Sequence, residues 1–83
     1  IGLIKVDTNG NELFVVKALL KIISRNKPAL IIEINDDISE IDKILKKYSY
    51  RGYYYDVKTE KFITTEKKST VNKYYLQKKH LHH

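Results

Sequence analysis

Eighty-three residues with 42% hydrophobic and 31% charged content specify one small domain, whose stability must be modest because a chain of this size buries only about two thirds of its unfolded surface. The chain has no cysteine, which excludes disulfides and thiolate metal centres and fits a reducing, cytoplasmic setting, and its apolar runs are too short to cross a bilayer. The net charge of +6 suggests an anionic partner, but of the 16 basic residues only Arg25 and Arg51 are arginine, so the bidentate forks of nucleic-acid readers are scarce.

In chain order, "IGLIKVD" (1–7) reads as a strand, near-continuous in apolar residues and therefore buried on both faces. Asn9-Gly10 breaks it. Asn9 is the expected N-cap of a helix, with Glu12 three residues on completing a capping box. That helix is expected to run to Arg25, with Lys17, Lys21, Ser24 and Arg25 on one polar stripe and most of the remaining surface buried. Pro28 stops it and opens a second strand, "ALIIEIN" (29–35), which carries one acid, Glu33. A strand, a crossover helix and a second doubly buried strand predict a parallel, right-handed unit.

Asp37 and Glu40 form a second expected capping box. The amphipathic helix after them (about 38–48) presents Ile38, Ile41, Ile44, Leu45 and Tyr48 on one face. Beyond Tyr50 the helical period stops. "RGYYYDVK" reads as a strand, "TEK" as a turn, "FITTE" as a short strand, "KKST" as a polar loop and "VNKYYLQKK" as a last strand. The tail 80–83, "HLHH", is expected to be disordered or a tag remnant, with its histidines not a metal site. The predicted topology has the last two strands antiparallel, the C-terminal strand between the second strand and the tyrosine strand, and all helices on one face of the sheet.

Four acidic or polar residues are candidates for a site. Ligands of open α/β sheets bind beyond the carboxyl ends of the parallel strands, where Asp7 and Glu33 both fall. Asp7 could position a substrate hydroxyl or accept its proton, or it could bind backbone amides of the following turn. Glu33 could face the same cleft or be held by Lys5 or solvent. Asn9 and Glu12 could touch substrate or simply cap the helix. The "RGYYYDV" strand superficially resembles the aromatic strand of an RNA-recognition domain. However, Tyr54 replaces its small residue, Asp56 replaces an apolar one and the element order differs, so the tyrosines are expected to cover helix and sheet surfaces.

Ile4-Lys5-Val6-Asp7, Gly10, Glu12, Lys17-Ala18, Lys27-Pro28, Glu33-Ile34, Gly52-Tyr53 and Asn72-Lys73-Tyr74-Tyr75-Leu76 occur in order and spacing. This set resembles the second half of FkbM-type methyltransferases over residues 1–79. The resemblance implies an α/β fold, namely the C-terminal half of a class I (Rossmann-like) methyltransferase sheet: two parallel strands with crossover helices, then an antiparallel hairpin. The strands would be the fourth to seventh of that sheet. The cofactor-binding half, with its glycine-rich turn, would precede Ile1, in keeping with the lack of a leading Met.

The implied parent is an S-adenosylmethionine-dependent O-methyltransferase acting on a sugar, glycan or related metabolite, with Asp7 as the catalytic acid group and Asn9, Glu12 and Glu33 contacting substrate. This chain alone is expected not to bind the cofactor and to be inactive. Asn9 stands where the family usually has Glu. Half of such a sheet leaves an apolar edge and a bare face, so a homo-oligomer burying Leu3, Ile4 and Val6 is expected. The alternative reading is a non-enzymatic basic α/β module that binds a protein or an anionic polymer.

Overall fold

A computed structural model describes residues 2–66 and 71–81; the expected "KKST" loop and the last two histidines lie outside the described residues. The elements are β1 (Leu3–Val6), α1 (Glu12–Ala18), α2 (Leu20–Asn26), β2 (Ala29–Glu33), α3 (Ile38–Lys46), β3 (Arg51–Asp56), β4 (Lys61–Ile63) and β5 (Asn72–Leu76), followed by a 3₁₀ turn at Lys78–Leu81. The sheet order is β1-β2-β5-β3-β4. β1 and β2 run parallel, with Val6 opposite Ile32, and β5 lies antiparallel between β2 and β3. The topology matches the sequence reading: the β-branched runs pair in parallel, and the C-terminal strand enters beside β2.

Alternation along the strands decides which face is buried. Leu30 and Ile32 of β2 are buried and join Val6, Val16, Ile23, Ile41, Leu45, Tyr50 and Tyr75 in one core. Residues of α1, α2 and α3 share this cluster, so the helices lie on one face. Four rings gather on the opposite face: Phe62 packs edge-on against Tyr53, Tyr55 and Tyr74, with centroids 6.4, 5.3 and 5.3 Å away. Among the described residues no helix covers this face. The expectation of burial on both faces of β1 and β2 therefore fails for lack of a second layer: Leu3 is 57% exposed and Ile31 is half-buried. Val6 and the half-buried Ile4 pack into the chain's own core.

Two local expectations are corrected. The first helix is two short ones. At Leu19 (φ −94, ψ 3) the backbone leaves helical geometry, and its N–H is shared between the Val15 and Val16 carbonyls. Only Val16 and Ile23 of the pair are deeply buried, along with Glu12, and Phe14 is 74% exposed. Neither capping box forms. Asn9 has φ 53 and precedes the helix, whose N-cap is Asn11 without a side-chain cap bond. Asp37 is an N-cap whose side chain makes no cap bond either. In the 3₁₀ turn at Lys78–Leu81 the Gln77 N–H donates to His80 Nδ1 at 2.8 Å.

Candidate functional site

Asp7 follows the last residue of β1, and Glu33 ends β2, the adjacent parallel strand. Parallel pairing in register brings them to one end of the sheet. Their carboxylates and that of Glu12, the first residue of α1, have oxygens within 4.8 Å of one another. Asp7 is exposed, Glu33 half-buried and Glu12 only 1% exposed.

The three acids differ in what satisfies them. Glu12 Oε2 accepts the Thr8 N–H at 2.9 Å, and Oε1 accepts the Gly10 N–H at 3.0 Å and the Asn35 Nδ2 at 2.5 Å. Burial alone would push its pKa up, but these donors outweigh it and hold the group below the ordinary carboxylate value. Glu12 therefore faces inward and braces the loop 7–10. The carboxylate does reach back over the turn before its helix, as a capping-box acid would. Its acceptors serve the N–H groups of Thr8 and Gly10, because Asn9 (φ 53) and Gly10 (φ 104) turn the chain through left-handed conformations there.

Glu33 is the opposite case. A hydrogen bond with Asp7 and the charge of Asp7 raise its pKa, helped by partial burial and the charge of Glu12, with Lys5 opposing. Two carboxyl groups this close favour holding one proton between them. The bond to Asp7, rather than Lys5, is the main influence on Glu33. Asp7 is not consumed by turn amides in any hydrogen bond found among the described residues. Glu12 already accepts three hydrogen bonds, so its charge is partly compensated from the inner side of the trio. Asn9 is exposed in the same loop.

Asn35 was not evident as a site residue from the sequence. Its Oδ1 accepts the Asp37 N–H at 2.8 Å while its Nδ2 reaches Glu12. An Asn before Asp-Asp at a helix start signals a side-chain turn. Its second bond, 23 residues back along the chain, has no local signal.

A second polar cluster lies on the helix side of β5. Lys73 Nζ bonds Asp42 Oδ2 at 2.9 Å, and the Tyr75 hydroxyl donates to the other oxygen of Asp42. Burial disfavours the Lys73 cation, yet Asp42 and Tyr54 more than offset this, so its pKa is raised; burial and Asp42 raise that of Tyr75 strongly. These residues line a cavity of about 400 Å³ with Lys46, Tyr50, Arg51 and Gly52. Another cavity, of about 440 Å³, runs along α3 at Glu40, Lys43, Ile44, Lys46 and Lys47. Neither is lined by Asp7 or Glu33.

The architecture defines a small α/β protein with a mixed sheet, helices on one face and a polar site where two parallel strands end. The methyltransferase FkbM domain family matches residues 1–55, about two thirds of the chain, and the chain belongs to that family. No curated protein and no solved structure matches it. The matched region contains β1 to α3 and most of β3, and hence Asp7, Glu12, Glu33 and Asn35. Among the described residues no helix is long and apolar enough to cross a membrane.

Proposed function

We propose that this chain forms the later half of a Rossmann-like, S-adenosylmethionine-dependent O-methyltransferase domain, and that Asp7 and Glu33 receive the methyl acceptor. The observation that carries this reading is the meeting of those two carboxylates at the carboxyl ends of adjacent parallel strands. Family membership supplies the reaction class.

The acceptor fits a hydroxyl compound: a sugar, glycan or related metabolite. Asp7 is exposed and can accept a hydrogen bond from such a hydroxyl. Glu33, whose proton affinity is raised by Asp7, is suited to take up the hydroxyl proton. Asn9, exposed on the adjoining loop, can contact the acceptor through its amide without adding charge beside Asp7.

S-adenosylmethionine would supply an electrophilic methyl group. On this reading most of the cofactor contacts belong to the earlier half of the domain, and the 400 and 440 Å³ cavities of this chain adjoin neither Asp7 nor Glu33. The chain alone should therefore show no micromolar binding of S-adenosylmethionine by isothermal titration.

The reading is tested in the full-length enzyme. Asp7→Asn and Glu33→Gln should each lower turnover, by about 10²-fold or more if general-base assistance is lost, with little change in melting temperature. Turnover equal to that of the unmutated enzyme in both variants would sink it.

A further inference from the structure

We propose that Asn35 is a positioning residue for the Asp7–Glu33 pair, acting through Glu12. The argument follows covalent and hydrogen-bonded links. Asp7 immediately precedes Thr8, whose N–H is held by Glu12, and Gly10 is held by the same carboxylate. Between them the backbone passes through two consecutive left-handed residues, Asn9 and Gly10. For Asn that conformation is less favoured than for Gly, and it persists only where surrounding bonds fix it.

Asn35 supplies the remaining constraint. Its Nδ2 holds Glu12, and its Oδ1 takes the Asp37 N–H, so one amide ties the loop after β1 to the loop after β2. Those loops adjoin Asp7 and Glu33. The parallel ladder sets the two strand ends side by side, and this link fixes the loops that leave them, next to Asp7 and Glu33. Glu12 is nearly inaccessible, so a loosened carboxylate there cannot simply turn into solvent in place. Loss of the Asn35 donor should shift the Glu12 carboxylate and release Thr8 and Gly10, and with them Asp7. Asn35 touches no reacting atom in this scheme. Its role in a reaction rests on the reading of Asp7 and Glu33 given above, but its effect on their geometry does not.

The groups facing Glu33 are Asp7 and Lys5 from the β1 segment, Glu12 from α1, and the uncharged Asn72 across on β5. The titration of Glu33 therefore reports the proximity of Asp7. The experiment is a pH titration of the side-chain carboxyl ¹³C signals in the 83-residue chain, comparing the unmutated protein with Asp7→Asn and Asn35→Ser. Serine keeps an oxygen for the Asp37 N–H and adds no charge, but is too short to reach Glu12.

Asp7→Asn should lower the Glu33 midpoint. Asn35→Ser should produce about half of that fall or more, although it leaves both acids in the sequence. A Glu33 midpoint unchanged by Asn35→Ser, even with a reduced melting temperature, would show a merely structural amide and overturn the proposal. An unchanged midpoint in Asp7→Asn would overturn it as well, since there would then be no pair to position. A measurement that needs no variant guards against misfolding: the Asn35 side-chain amide protons should shift as Glu12 titrates, and their indifference would count against the link. Failure of the methyl-transfer reading would appear only in turnover, so the two outcomes are separable.

Discussion

The end of the sheet at Asp7 and the centre of the sheet at Lys73 both gather charged side chains, but to opposite effect. At Lys73, opposite charges and a tyrosine hydroxyl satisfy one another: a cation on β5, a carboxylate on α3 and Tyr75 between them. At Asp7, like charges are held together, and of the three acids Glu12 accepts hydrogen bonds from Thr8, Gly10 and Asn35. A compensated cluster needs nothing further and acts as a clamp between α3 and the sheet. A pair of acids held in contact costs stability at neutral pH and is suited to a ligand that can donate a proton. On this comparison the strand-end acids, rather than the compensated cluster, are the pair left with an unmet charge, which is why the proposed site is placed there.

Mutations should divide along this line. The largest effect is expected from Glu12→Ala, which leaves the part-buried Thr8 and Gly10 N–H groups and the Asn35 amide without their acceptor and should destabilise by on the order of 3 kcal/mol in denaturant melts. Gly52→Ala comes next. A Cβ there would lie 2.4 Å from Lys73 Cε, and Lys73 is held in place by Asp42, so the clamp must shift, at about 2 kcal/mol. Asp42→Asn should cost about 1 kcal/mol, less than a deeply buried pair would, because the Asp42 side chain is 41% exposed. A Gly52→Ala protein as stable as the parent would show that Lys73 is not held.

The smallest effect should have the opposite sign. Asp7→Asn relieves the raised pKa of Glu33 and should slightly raise the melting temperature at pH 7. For an acid whose folded pKa is raised, the stabilising contribution is present below its unfolded pKa and is lost as pH rises through the folded pKa. The gain from Asp7→Asn should therefore vanish below the ordinary glutamate value of 4.5. Glu12 behaves in reverse: its folded pKa is lowered, so its contribution is present above 4.5 and is lost as pH falls through the folded pKa. Melting curves from acid to neutral pH would test both signs. A loss of stability on Asp7→Asn at pH 7 would place Asp7 with the clamping residues.

Local sequence determined much of this molecule. Val/Ile-rich runs bounded by Asn-Gly and Pro28 fixed β1 and β2, because β-branched side chains suit a pleated, packed strand and proline ends a helix. The apolar period of 38–48 fixed α3, and the order of residues from Ile4 to Tyr53 carried the family. Asp7 and Glu33 were legible as strand-end acids for the same reason. Tertiary structure decided what these residues do. That Glu12 braces a loop depended on Asn35, 23 positions away, and on two left-handed residues that no capping pattern encodes. The break at Leu19 and the burial of only one face of β2 depended on which layers pack against which. A sequence period states that a side chain is apolar or charged along its own element; its partner across the fold determines whether a charge is satisfied, and only packing brings that partner near.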